Sequence, residues 1–351
     1  MSEKKMLKSG RVDGKNSAYR SGMHYIPKFC KHQIMTVLKA NRDKAAHKEK
    51  KVGASTQDKR ETVIFGFFGL LFFLKFKIES IFHLKQKHLI AVFTFLEEQG
   101  QSPSTLQNKI SIMRVFCGWI GKNGMVLDST NYVKDKSSVR RSLVAKEDKS
   151  WEGQGVEFLS KLSQVAQMDE TVAINLELCV AFGLRVKESI MYRPKVEKNG
   201  DFLWVREGTK GGRPRVIRIE NDIQRNVLER AQAIADNRSG FLMNRYKTYE
   251  QKRRRFYYVL EVCGITLREE QITAHGLRHQ YMQKRFKDLL GIEAPVKGGD
   301  LGMVDKDELH VASQKLMEEA GHTRVTIGSA YYGSRRILGK LNQHPEGSSN
   351  E

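Results

Sequence analysis

The chain reads as a mainly α-helical protein with one small antiparallel β-sheet, divided between two domains. Three observations predict this. Apolar residues recur at helical spacing through two long stretches, a polar and charged segment separates those stretches, and two short strand-like runs flank a Gly-rich turn. The 351 residues are enough for two or three domains with a sizeable core. Lys and Arg number 61 against 40 Asp and Glu, a net charge of +21 and a pI near 9.7. Such an excess suits a polyanionic partner, nucleic acid first and an anionic membrane surface second. Cys30, Cys117, Cys179 and Cys263 lie far apart, with no CxxC spacing and no neighbouring His cluster. They read as reduced core residues of a cytoplasmic protein, and no metal site is expected.

In chain order, residues 1–60 hold sixteen Lys/Arg against five Asp/Glu and little regular apolar spacing. They predict a basic, partly disordered arm, an electrostatic tether for DNA. Residues 61–127 predict a small helical domain. Phe65, Phe68, Leu71 and Phe72 recur at helical spacing, as do Leu89, Val92, Phe93 and Leu96. Ser102 and Pro103 open a further helix toward Trp119, with Ile110, Met113, Phe116 and Ile120 on its apolar face. The run Val63–Leu74 is closed by Lys75 and Lys77, whereas a spanning helix needs about 20 apolar residues. A buried or interface helix is therefore the reading, with no membrane partner. Lys85, Lys87, Lys109 and Arg114 are candidates for phosphate contact, and an ordinary solvated face is equally open for each.

Residues 128–148 are polar and charged and read as a linker, and 149–336 form the second, larger domain. A helix is expected from about Thr171 to Met191, and short strands over Phe202–Arg206 and Arg215–Ile219. Glu207 to Gly212 form the tight turn between the strands, with Arg213 and Arg215 beside it as further DNA-contact candidates. Helical patterns resume over Glu220–Ala235, Tyr246–Val262, His275–Leu290 and Asp305–Ala320. Tyr257 and Tyr258 sit in a basic helical run and read as packing or DNA-backbone residues. Residues 337–351 form a polar tail that opens on Ile337 and Leu338.

The chemistry concentrates in the second domain. His275 and Arg278 are three apart, so on a helix they share one face and reach one ligand. An imidazole beside a guanidinium suits a phosphodiester: Arg grips two oxygens, and His carries a proton near neutral pH. Arg185 follows Gly183 at the end of an apolar helix, with Glu188 three residues on to orient it. Gly321 and His322 end another helix, and Tyr331 follows nine positions after His322, with Tyr332 and Gly333 behind it. Bland roles stay open at each position: a surface pair for Arg185 and Glu188, a basic turn for Lys210, a helix cap for His322, packing for His279.

Taken together, AFGLRVKES, TKGG in a hairpin, AHGLRH and GHTRVTIGSAYYG resemble the tyrosine recombinase (phage integrase) family, in that family's order. KQKHL and TLQNKISIMRVFCGWIGK in the first domain resemble the DNA-gripping domain of integrases from genomic islands and integrative elements. The resemblance spans about residues 61–336. It implies a core-binding domain and a catalytic domain closing on duplex DNA as a clamp, with Arg185, Lys210, His275, Arg278, His322 and Tyr331 as the catalytic set. Glu188 and His279 would support that set. The implied reaction is site-specific recombination through a 3′-phosphotyrosyl intermediate, without metal or nucleotide cofactor, integrating or excising a mobile element. The implied partners are double-stranded recombination sites, three further copies of the chain in a tetramer, and a directionality factor or DNA-bending protein. The tail from about Ile337 to Lys340, which opens on an apolar pair, would be exchanged between protomers. Two other readings use the same residues or fewer: a type IB topoisomerase-like enzyme, and a catalytically silent DNA-binding regulator.

Overall fold

The computed structural model describes residues 24–45, 51–243 and 245–334. Residues 1–23 and 46–50 of the expected arm, and the tail 337–351, lie outside the described residues. The chain divides into two compact units between Arg141 and Ser142.

The first unit is built on four helices: α1 (Lys28–Asn41), α2 (Ala54–Phe73), α3 (Gln86–Glu98) and α4 (Pro103–Trp119). Helix α1 lies where a featureless arm was expected. Cys30, Ile34 and Leu38 fall four residues apart, so they share one face of the helix and bury in the core together with Ile26 just before it. Buried Arg60 fastens the chain after α1, its Nη1 donating to the carbonyls of Arg42 and Lys44 at 3.1 and 2.6 Å. Helix α2 is apolar on most sides because it is central. Phe67 meets Phe93 at 5.8 Å between ring centroids, and Phe68 meets Phe116 at 5.6 Å. Among the described residues no helix is long and apolar enough to cross a membrane. Helix α4 starts as its sequence predicts, the Ser102 side chain accepting from the Thr105 N–H with Pro103 in the first turn.

The expected linker over 128–148 differs as well. Tyr132 and Val139 are buried in the first unit, and the Tyr132 hydroxyl accepts from the Leu127 N–H and donates to Gln86. The polar composition of this stretch hides two apolar anchors seven residues apart, which fix residues 128–141 on the first unit, while 142–148 belong to the second.

The second unit packs around α6 (Glu170–Phe182), capped by Asp169 and enclosed by α5 (Phe158–Met168), α8 (Asp222–Ile234) and α10 (Ala274–Leu290). The single helix expected over 171–191 is two. Gly183 stops α6 at φ +60°, and α7 (Val186–Met191) starts anew with Arg185 at its N-cap. A Cβ on Gly183 would lie 2.4 Å from the Tyr281 ring, so both the backbone angle and the space demand glycine. Strands β1 (Lys198–Asn199), β2 (Phe202–Val205) and β3 (Arg215–Arg218) form an antiparallel sheet in that order; β1 had no sequence signal. In β2 and β3 the register sets Leu203 opposite Ile217 and Val205 opposite Arg215. Helix α9 (Tyr249–Val262) follows α8, and α11 (Lys306–Glu319) and the short α12 (Ser329–Tyr332) follow α10. A smaller apolar cluster of Tyr281, Met282, Phe286, Leu316, Met317, Tyr331 and Tyr332 joins these last three helices.

Candidate active site

Four chain segments of the second unit meet at one place, and each arrives there for a local reason. Arg185 caps α7, where its own N–H donates to Glu188 Oε2 at 2.8 Å and its Nη1 to Glu188 Oε1 at 2.7 Å. Glu188 is fully buried, and Arg215 from β3 grips it with two further bonds of 2.8 and 2.7 Å. Burial alone would raise this carboxyl; Arg215 first and Arg185 next overcome it and hold it at about 2. Glu188 is therefore a carboxylate at any working pH.

Arg278 lies one turn into α10 and is 0% exposed. Its Nη1 donates to the Gly183 carbonyl and its Nη2 to the Ala320 carbonyl. These carbonyls end α6 and α11, where helix dipoles leave negative partial charge, so a buried guanidinium is favoured between them. The Nε–H of Arg278 donates to the Tyr331 hydroxyl at 3.2 Å.

The Gly-His pair is a helix stop. The Gly321 N–H bonds the Glu318 carbonyl, the His322 N–H bonds the Met317 carbonyl, and Gly321 takes φ +67°. This is a Schellman ending, which needs glycine at that position and turns the next side chain inward. His322 Nε2 then lies 3.3 Å from Arg185 Nη2, 3.4 Å from Arg278 Nη2 and 3.1 Å from the Tyr331 oxygen. Guanidinium groups only donate, so Nε2 carries the lone pair and Nδ1 the proton. Burial, then the charges of Arg185, Arg278, Lys210 and Arg215, hold this imidazole down at about 4. It is neutral at pH 7.

Tyr331 and Tyr332 leave α12 in different directions. Tyr331 is buried against Arg278 and His322, whereas Tyr332 stacks on Phe286 at 4.6 Å and its hydroxyl donates to Ser313 at 3.0 Å. His275 stands at the start of α10 with its ring centroid 6.2 Å from Tyr331, and His279 is closer at 5.0 Å. Desolvation by the protein packed around it, then Arg278, Arg185 and Lys149, bring His275 to about 4 although it keeps exposed surface. His279 is buried, is also held at about 4, and its Nδ1 has no hydrogen-bond partner. Lys210 is exposed in the turn between β2 and β3, and its charge is among those acting on His322.

The remaining basic candidates divide. Lys85, Lys87 and Arg213 are exposed, while half-buried Lys109 donates to Gln101 at 2.9 Å. Arg114 ties α4 to the following loop through the Val126 and Leu127 carbonyls at 3.2 and 2.7 Å. Arg215 corrects the sequence reading. It is buried on Glu188 rather than presented to DNA, and the signal was available, because a period of two puts it on the same strand face as Ile217. Two further groups had no sequence signal. Gln283 Nε2 donates to the Tyr331 carbonyl at 3.3 Å and to Asp148 Oδ1 at 2.8 Å, and the Ala145 N–H donates to the Ser329 carbonyl at 2.8 Å. Residues 145–148 thus brace the short helix that carries Tyr331.

Known proteins share the fold of this chain. A family model described as "Integrase" matches residues 147–284, and one described as "Phage integrase, N-terminal" matches 35–126. No curated protein matches the chain. Among solved structures, a lambda integrase dimer bound to a COC′ core site is 15% identical, with 98% of this chain and 86% of that chain covered and a TM-score of 0.55. A lambda integrase tetramer bound to a Holliday junction is 14% identical over the same shares, at 0.52. The XerH site-specific recombinase, in a post-cleavage complex with a palindromic difH substrate, is 13% identical. There 96% of this chain and 90% of that chain are covered, and the TM-score is 0.50. At these identities the likeness is one of fold.

Proposed function

The chain belongs to the tyrosine recombinase (phage integrase) family, and from that premise we propose that it cleaves and rejoins DNA at specific sites through a 3′-phosphotyrosyl bond. The observation that carries the proposal is the Tyr331 oxygen, 3.1 Å from a neutral imidazole and 3.2 Å from a buried guanidinium. A phenol is a poor nucleophile with an ordinary pKa near 10. It gains from losing its proton to a base as it attacks phosphorus, while cations take up the charge that grows on the non-bridging oxygens.

In this reading the scissile phosphate displaces the phenol from Arg278 Nε and lies between Arg185 and Arg278. The phenol oxygen bonds to phosphorus, the bond to the 5′ oxygen breaks, and Lys210 gives that oxygen its proton. The spacing and the resemblance assign the base to His275. Held at about 4 by burial and then by Arg278, it is unprotonated at pH 7 with a lone pair open to the phenol's proton, and Glu188 and His279 hold the set in place. The 3.1 Å contact favours a second assignment, His322 as acceptor. The phosphotyrosyl ester keeps the bond energy for religation, so the reaction needs no nucleotide. The two units would grip duplex DNA as a clamp, four protomers would join two sites to integrate or excise a mobile element, and a directionality factor or DNA-bending protein would set the outcome.

The test is covalent capture. The full chain is incubated with a randomised pool of nicked duplexes and run on a denaturing gel. A protein–DNA band that forms equally well in EDTA is expected, because two guanidiniums supply the positive charge. Cleavage that vanished in EDTA and returned with magnesium would contradict the mechanism. Binding without any band would favour a silent regulator. Plasmid relaxation without strand exchange between two captured sites would favour a topoisomerase-like enzyme. On the same gel, His275→Gln and His322→Gln assign the base, whose loss removes the rise of rate with pH.

A further inference from the structure

Arg215 carries a charge that the basic turn before it suggests is meant for DNA, yet its guanidinium turns inward. Its Nε, Nη1 and Nη2 each donate one hydrogen bond, and together they serve two segments of the second unit. Nη1 and Nη2 take both oxygens of Glu188, at 2.8 and 2.7 Å, and Nε–H donates to the Glu319 carbonyl at 2.8 Å in the last turn of α11. A Cβ at Gly321 would stand 3.1 Å from Arg215 Cδ, so the side chain also forms the floor beneath the Gly-His turn. Glu188 Oε1 is shared: it accepts from Arg215 and from Arg185 Nη1 at 2.7 Å.

We propose that Arg215 is a positioning residue for strand cleavage, fixing Glu188 so that Arg185 stays against His322 while seating the turn that delivers His322. The proposal rests on the recombinase reading and extends it to a residue on the strand that leaves the Lys210 hairpin. The physical argument is one of shared partners. With Arg215 in place, the carboxylate cannot turn wholly toward Arg185, and Arg185 Nη2 remains 3.3 Å from His322 Nε2. Without it, Glu188 is buried with a single cation. The carboxylate then rotates to serve that cation and draws Arg185 away from the site of reaction. A lysine at 215 would restore the charge but not the fork, since one ammonium cannot meet two carboxylate oxygens and the Glu319 carbonyl in a fixed plane. Arg215 touches no reacting atom in this scheme, so its effect belongs to the rate at saturating DNA and not to affinity.

The test uses the full chain and a nicked duplex captured covalently by the wild type from a randomised pool. Arg215→Lys, Arg215→Met, Glu188→Gln and the double variant Arg215→Met/Glu188→Gln are compared for melting, DNA affinity against salt, and adduct rate at saturating DNA. Both Arg215 variants are expected to melt cooperatively, to bind with unchanged affinity and salt slope, and to form adduct about 10- to 100-fold more slowly. The double variant should be no slower than the slower single, because Arg215 acts through Glu188. Wild-type adduct rates in both Arg215 variants would overturn the proposal. So would weaker binding with a shallower salt slope at an unchanged rate, which would return Arg215 to phosphate contact, or rate deficits that multiply in the double variant. If Arg215→Met does not melt cooperatively, Arg215→Lys decides; loss of cooperative melting in both would make the residue structural and overturn the proposal. Absence of adduct with the wild type would instead sink the recombinase reading, and this inference with it.

Discussion

Arg278 shows most plainly how single side chains make this site. A guanidinium with 0% exposure is tolerated because two helix ends aim carbonyls at it and a phenol takes a third donor. Arg278→Lys keeps the charge but cannot span Gly183 and Ala320 together. Losing one transition-state donor commonly costs ~10²–10³ in rate. Each buried carbonyl left without a partner costs about 1–3 kcal/mol. We therefore expect a lower melting temperature and adduct formation slowed by about that factor, with DNA binding retained. A variant that cleaved at the wild-type rate would make Arg278 a structural brace only. The residues of this site were unequally legible. Tyr331 was singled out by the nine-residue spacing to His322 that the family resemblance implies, and a Schellman stop, one turn and a four-residue helix bring the two to 3.1 Å. Arg215 was read as a DNA-contact residue, although strand alternation marks it as inward-facing, because its basic neighbours Lys210 and Arg213 suggested a DNA surface. Gln283 and Asp148 meet over a sequence distance of 135 residues, and no local pattern announces such a pair.

Secondary-structure elements were legible where the apolar period was long and missed where composition masked it. The helices ending the second unit lie close to their predicted spans, whereas α1 was absorbed into a basic arm. Its core face of Cys30, Ile34 and Leu38, with Ile26 just ahead of it, repeats every four residues, but Lys28, Lys31 and Lys39 among them dominate the composition. The distinction has a measurable consequence. Deleting residues 1–23 removes six Lys/Arg and two Asp/Glu and leaves that face intact. DNA binding should weaken, with the slope of log affinity on log salt falling by about 0.9 for each phosphate that is no longer neutralised. Deleting residues 1–60 strips three buried aliphatic side chains worth about 1.5–3 kcal/mol each. That loss is comparable with the whole stability of a domain, about 5–15 kcal/mol. The longer deletion should therefore abolish the cooperative melt of the first unit. A melt unchanged by the longer deletion would mean that α1 does not contribute to the core, and an unchanged salt slope in the shorter one would make residues 1–23 a passive tail.

At the scale of the whole molecule, each unit has its own core, and the six residues assigned to catalysis all lie in the second. The charge of +21 belongs to the chain as a whole and argues for a polyanion without saying where the chemistry sits. What localises it is convergence: helix ends from α6 and α11, the N-cap of α7, the first turns of α10 and the short α12 meet around one phenol oxygen. The central claim is thus that Tyr331 becomes bonded to DNA. Adjacent residues on a helix point about 100° apart, so only one of the two tyrosines can face the phosphate. Tyr332 is engaged with Phe286 and Ser313. The decisive measurement is adduct formation on a nicked duplex by Tyr331→Phe and Tyr332→Phe, followed by mass analysis of the DNA-linked peptide. The account predicts that Tyr331→Phe binds DNA without forming adduct, that Tyr332→Phe still forms it, and that the modified peptide carries the nucleotide on Tyr331. Adduct retained by Tyr331→Phe, or a nucleotide found on Tyr332, would contradict it.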